Sequence, residues 1–161
     1  ASAVGKAIAA HMSPTELEAT LGGRELPRYT TRTITDQTSL VSHLSQVRRQ
    51  GYAVNDEETI EGAILFGAPV FDAAGRPFAA ISAGALAGRC TPGTRELFAQ
   101  SVRDCAAKVT SVFLELGFSS AGEPPSPRPY QDLERGEGAA DHPNFTQQFR
   151  TASFSRGESI K

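Results

Sequence analysis

Residues 51–89, GYAVNDEETIEGAILFGAPVFDAAGRPFAAISAGALAGR, carry the pattern that decides the fold. Tyr52 to Asn55 reads as a short strand, and Asn55-Asp56-Glu57-Glu58 as the acidic loop that leaves it. Ala63 to Phe71 and Pro77 to Gly84 are two longer apolar runs. Between them, Asp72-Ala73-Ala74-Gly75 places Asp at the first turn position and Gly where positive φ is needed, so a β-hairpin is expected. Alternation puts Leu65 and Gly67 on one side of the first hairpin strand, and Ser82 and Gly84 on one side of the second. An apolar wall with one hydroxyl and two glycines suits the floor of a small-molecule pocket. The same glycines suit equally well the close approach of a packed helix.

Helical patterns flank this sheet segment. Ser2 to about Met12 is rich in Ala, with Ile8 and Met12 on one side. Ser13-Pro14-Thr15-Glu16 predicts a second helix start, with Ser13 as cap, Pro14 at the first helical position and Glu16 reaching back. Leu17 and Leu21 give that helix an apolar edge, and Gly22-Gly23 stops it. Leu26 to Ile34 reads as an irregular extended connection. Thr35 or Asp36 then caps a helix with Leu40, Leu44 and Val47 on one face, Arg48 and Arg49 in its last turn, and Gly51 as its left-handed terminator. Thr91-Pro92 opens a last helix to about Leu116. Phe98, Val102, Cys105, Val109, Val112 and Leu116 are expected to form its buried stripe, with Gly117 after it.

The bulk numbers narrow the function classes. The chain has 161 residues and a formal net charge of -2, with Lys and Arg not clustered as a nucleic-acid surface requires. No apolar run approaches the roughly 20 residues of a membrane span, and Ala1 to Met12 lacks the basic and apolar regions of a signal peptide. Cys90 and Cys105 make neither a disulfide framework nor a zinc site, which fits a reduced, cytoplasmic compartment. From residue 119 onward the composition turns to Pro, Gly and Ser, with Leu133 and Ile160 its only aliphatic residues larger than Ala. Such a segment buries too little surface to offset its ordering entropy, so 119–161 is expected to be a disordered tail. Phe145, Phe149 and Phe154 there read either as a docking motif or as solvated low-complexity sequence.

The first turn of the opening helix, Ala3-Val4-Gly5, has small side chains and no nearby acid. Its backbone N–H groups suit an anion such as a carboxylate, or simply helix packing. Asn55-Asp56-Glu57-Glu58 is expected to be mostly a solvated turn, because neighbours on a strand end diverge. An enzyme would need a nucleophile with a base and an orienting group. No nucleophile-elbow pattern surrounds Ser82, and His43 lies among Ser residues and is expected to be exposed. Cys105 is expected in the core, and Cys90 lacks an obvious partner. No Walker loop, dinucleotide fingerprint or zinc motif is present. The expectation is therefore no catalytic residue, no metal and no cofactor. A small Ser- or Cys-dependent hydrolase and a structural dimerisation fragment are the alternatives.

In order along the chain, Ala1-Ser2-Ala3-Val4-Gly5-Lys6-Ala7, Pro27-Arg28-Tyr29-Thr30 with Thr33-Ile34-Thr35, Val47 to Tyr52, Asn55 to Glu58, Gly62, Ala68 to Asp72, Gly75 and Ala79 to Ser82 resemble the effector-binding domain of IclR-type bacterial transcription regulators. The resemblance covers about residues 1–117. It implies an α+β fold of the GAF-like sensor type, an antiparallel sheet flanked by helices, in a domain over 1–118. It also implies a cytoplasmic homodimer or tetramer that binds a small organic acid. DNA contact would come only through an N-terminal winged helix-turn-helix domain not in this chain, and the sensor domain itself would be N-terminally truncated, with an open sheet edge. Carried over by position, ligand contacts would fall at Ala3, Val4, Gly5, Asn55, Leu65, Ser82 and Gly84. Asn55 stands where the family often has an acid, Leu65 where it often has Cys, and Gly84 where a second Ser is common. A roomier, less polar pocket follows, suited to a larger carboxylate such as an aromatic acid.

Overall fold

The computed structural model describes residues 1–120. The proposed tail from 121 on lies outside the described residues. In chain order the elements are α1 (Ala3–Ala9), α2 (Pro14–Leu21), α3 (Gln37–Gln50), β1 (Ala53–Asp56), β2 (Ala63–Phe71), β3 (Pro77–Leu86), a short 3₁₀ turn (Ala87–Arg89) and α4 (Pro92–Glu115). The strands form an antiparallel sheet in the order β1-β2-β3. This is the α+β architecture expected, with helices on both sheet faces.

Local chemistry places the helix ends. Ser13 and Glu16 form a reciprocal capping box, with Glu16 N–H donating to Ser13 Oγ and Ser13 N–H to Glu16 Oε2. Asp36, not Thr35, caps α3 by accepting from Ser39 N–H at 2.7 Å. Gly51 ends α3 at φ 79°. The first helix is shorter than the Ala-rich run suggests, stopping at Ala9 with a turn after it.

The register decides which residues share a face. Asn55 pairs with Leu65, Leu65 with Gly84, and Gly67 with both Ala53 and Ser82. One face thus carries Ala53, Asn55, Leu65, Gly67, Ser82 and Gly84, and it lies under α1 and α3 through Ala7, Ala10, Leu40, Leu44 and Val47. The other face buries Ile64, Phe66, Ala68 and Val70 against Ala99, Val102 and Ala106 of α4. Each large apolar side chain buried there contributes roughly 1.5–3 kcal/mol.

Two expectations need correction. Cys105 is exposed, as are Val112 and Leu116. The buried stripe of α4 instead runs through Phe98, Ala99, Val102, Ala106, Val109 and Phe113. Small side chains let the helix lie close to the sheet, so its inner face follows Ala rather than the larger residues. His43 is half-buried, not exposed, and its Nε2 is enclosed.

The hairpin turn is tied to the chain beyond α4. Asp72 Oδ1 accepts from the N–H groups of Ala74 and Arg76, both at 2.9 Å. Its Oδ2 accepts from the Arg76 guanidinium, from Ser120 N–H at 2.9 Å and from the Ser120 hydroxyl at 2.6 Å.

Candidate functional site

Gly67 brings the candidate residues together. A Cβ built on it would stand 2.9 Å from the carbonyl carbon and oxygen of Ala3, so only glycine admits α1 this close. The helix-packing reading of this glycine therefore holds. Its consequence reaches further, because Ser82 is the cross-strand partner of Gly67. The start of α1 is thereby set beside the exposed Ser82 hydroxyl, which has no hydrogen-bond partner among the described residues.

Ser2 caps α1, and its Oγ accepts from Gly5 N–H at 3.0 Å. The Gly5 donor is therefore engaged. The N–H groups of Ala3 and Val4 keep no acceptor among the described residues, as expected at a helix start. Leu65 is half-buried and leans across Gly84, where an added Cβ would meet Leu65 Cγ at 3.4 Å. Part of the room that Gly84 leaves is thus taken by Leu65. Asn55 is 1% exposed, and its amide is engaged inside its own loop. Its Oδ1 accepts from Glu58 N–H at 2.8 Å, and its Nδ2 donates to Thr59 Oγ1 at 2.7 Å.

The acidic loop is less solvated than the sequence suggests. Glu58 is buried and forms an ion pair with the buried Lys6 of α1, whose ammonium also donates to the Val54 carbonyl oxygen. Burial pushes Lys6 below its ordinary value, and Glu58 beside it opposes that shift. His43 lies close enough to feel both charges, and burial lowers it as well. The Thr30 hydroxyl donates to the Glu57 carbonyl at 2.7 Å, and that of Thr33 to the Glu58 carbonyl at 2.6 Å. Glu57 is held at φ 60° by these bonds and by Gly62 N–H on its carboxylate at 2.7 Å. Asp56 stays nearer the surface, paired with Arg32 and Arg95.

Sequence reasoning missed Lys6, Glu58, Thr30 and Thr33 as the anchors of this site. A signal for Lys6 was present: it adjoins Ala3, Ala7 and Ala10, which repeat at helical spacing on the inner face of α1. The threonines lie in an irregular segment with no period to read.

No Ser–His or Cys–His pair forms among the described residues. Cys90 is buried in the apolar cluster under α4, and Ser82 has no base within hydrogen-bond reach. No group of three metal-ligating side chains occurs there, and no described helix is long and apolar enough to cross a membrane. The geometry thus sets two backbone donors and one hydroxyl, without partners among the described residues, on one sheet face, and gives the hydrolase alternative no support.

Comparison with known proteins agrees. Residues 1–111 match the family model described as bacterial transcriptional regulator IclR C-terminal. The HTH-type transcriptional regulator BhcR of Paracoccus denitrificans is 44% identical over 82 residues, covering 51% of this chain and 29% of that protein. The C-terminal domain of the E. coli transcriptional regulator KdgR superposes with a TM-score of 0.67 at 32% identity, over 73% of this chain and 70% of that one. The inducer-binding domain of the Acinetobacter transcription factor PobR, solved as a double mutant with 3-hydroxybenzoic acid, superposes with a TM-score of 0.63 at 25% identity, over 70% of this chain and 65% of that one. The chain spans about a third of the length of the curated relatives it matches.

Proposed function

The chain belongs to the IclR family of bacterial transcriptional regulators, as a counterpart of their C-terminal effector-binding domain, and from that premise we propose that the sheet face under α1 takes a carboxylate effector larger than a two-carbon acid. The carboxylate accepts from the Ala3 and Val4 N–H groups and from the Ser82 hydroxyl. Leu65 and Gly84 face the body of the ligand, with Asn55 holding the adjoining loop in shape. Gly5, whose N–H is already bound by Ser2, contributes close approach rather than a hydrogen bond.

One observation carries this reading. The contact of Gly67 with Ala3 sets two unpartnered backbone donors beside a free hydroxyl on the same sheet face. The PobR relative, solved with an aromatic hydroxy acid, supports the size class. In the whole regulator, a homodimer or tetramer, effector occupancy would be passed to a winged helix-turn-helix that contacts DNA. The reading requires no turnover.

Calorimetric titration of aliphatic and aromatic monocarboxylates tests the proposal. An aromatic acid is expected to bind more tightly than glyoxylate. Ser82→Ala is expected to weaken that binding about fivefold, the scale of one lost hydrogen bond of about 1 kcal/mol. Binding of glyoxylate alone would refute the size class, and an unchanged affinity in Ser82→Ala would remove Ser82 from the contact set.

A further inference from the structure

The effector face is unevenly covered along β3. Alternate residues Ala80, Ser82, Gly84 and Leu86 share the side toward α1, while Ala79, Ile81, Ala83 and Ala85 pack toward α4. Ala80 joins the cluster under α1 and α3, whereas Ser82, Gly84 and Leu86 are exposed. The change falls where α1 begins, because Ala3 lies over Gly67, the partner of Ser82. Two residues further along, at Gly84, the three atoms nearest an added Cβ all belong to Ile64 and Leu65 of the sheet itself. The helix that presses on Gly67 does not come down on Gly84.

The uncovered part is a strip whose chemistry changes along its length. One end has the Ala3 and Val4 N–H groups and the Ser82 hydroxyl. From there it runs over Gly84 and Leu65 to Leu86, which stands opposite Ala63. None of these four residues has a polar side-chain group. Leu86 is 64% exposed and lies about 13 Å of strand from Ser82. A single exposed leucine is ordinary; Leu86 differs in lying in line with the donor end on an otherwise small-residue floor. Behind Ser82 the face is closed by the packing of Ala80 under α1 and α3, and on the β1 side by buried Asn55. At the far end Ala87 N–H donates to the Gly62 carbonyl at 2.8 Å, which holds Leu86 beside the loop that enters β2. A ligand gripped by its carboxylate at the start of α1 therefore extends over the sheet toward Leu86. A compact ring ends over Gly84 and Leu65 and leaves Leu86 in water, whereas a longer body covers it.

We propose that Leu86 is a specificity-determining residue of the effector face, and that the face takes an elongated apolar monocarboxylate whose far end lies on Leu86. This inference rests on the carboxylate reading given above and adds the length of the ligand to it. Each methylene that leaves water over the strip strengthens binding, so chain length becomes the property the face distinguishes. Full burial of a methylene is worth about fourfold in affinity, and a floor that covers one side of the chain gives about twofold.

Calorimetric titration of butanoate, hexanoate, octanoate and decanoate into the full chain tests the proposal. Affinity is expected to rise about twofold per methylene from butanoate to octanoate. Leu86→Ala, at an exposed position where truncation leaves no cavity, is expected to weaken octanoate and decanoate about fivefold and to leave butanoate unchanged. Ser82→Ala acts at the carboxylate and is expected to weaken all four acids alike. Affinities that do not grow with chain length, or equal losses for butanoate and octanoate in Leu86→Ala, would overturn the role of Leu86. In that case a uniform response to Ser82→Ala would leave the carboxylate site itself standing. Failure of every acid to bind the wild type would overturn both readings together. A sedimentation coefficient altered by Leu86→Ala, with octanoate affinity intact, would assign Leu86 to a contact between chains and overturn the proposal.

Discussion

Among the described residues Lys6 and Glu58 form the one ion pair with both partners buried, and the Oε2 of Glu58 has no further partner there. Taking one charge away leaves the other stranded in a low-dielectric interior, which costs about 3–5 kcal/mol where measured in other proteins. Lys6→Met is therefore expected to destabilise the domain by about 3 kcal/mol in urea unfolding. The double variant with Glu58→Leu should recover most of that loss, since neither charge then needs a partner. Equal losses in the single and double variants would show that Lys6 acts through its packing alone. Asp72 makes a different kind of anchor. Its carboxyl is held well below the usual carboxylate range, first by the Ser120 hydroxyl and then by Arg76 N–H. A group depressed in the folded state stabilises fully above its unfolded value near 3.8, and that stabilisation fades as pH falls through and below it. Melting temperatures of the wild type and Asp72→Asn should thus lie well apart at neutral pH and converge in acid. A gap that is constant with pH would assign the effect to geometry and not to charge.

At the scale of elements, α4 shows where hydropathy misleads. Ala106 is 2% exposed against the sheet, whereas its neighbour Cys105 points to solvent. Ala106→Leu is expected to overpack that contact and cost about 1–3 kcal/mol. Cys105→Ser should stay within about 0.5 kcal/mol of the wild type, as exposed positions usually do. Chemical denaturation of the two variants checks both, and the reverse order would restore the stripe read from the sequence. The turns and caps were more legible, because each depends on a few adjacent residues with a local mechanism. Ser13 with Glu16, Asp36, Gly51 and the Asp72–Gly75 turn all act where their chemistry places them. The sheet face was legible for the same reason, since period 2 alone puts Leu65 with Gly67 and Ser82 with Gly84. What alternation could not supply was the register that joins the two strands into one face, or the helix that comes down on Gly67.

Across the whole domain, the sheet separates two differently built interiors. The face toward α4 is filled by aromatic pairs, such as Phe66 stacked with Phe98 at 5.6 Å and Phe78 edge-on to Phe113 at 4.9 Å. The face toward α1 and α3 is covered by Ala7, Ala10, Leu40, Leu44 and Val47 beside a buried ion pair. One side of the sheet is thus filled by stacked and edge-on aromatic rings, and the other leaves the Ser82 side chain exposed. The carboxylate of Asp72 spans this arrangement in the dimension of the chain itself. It joins the hairpin turn to Ser120, 48 positions later, and so encloses β3 and α4 in one non-covalent loop. Closing a long loop has an entropic cost that local contacts do not share, so such a contact is expected to form after the folding barrier is crossed. At neutral pH, Asp72→Asn should therefore speed the unfolding limb of a stopped-flow chevron and leave the refolding limb nearly unmoved. The residue then governs how long the folded domain lasts, not how quickly it is reached.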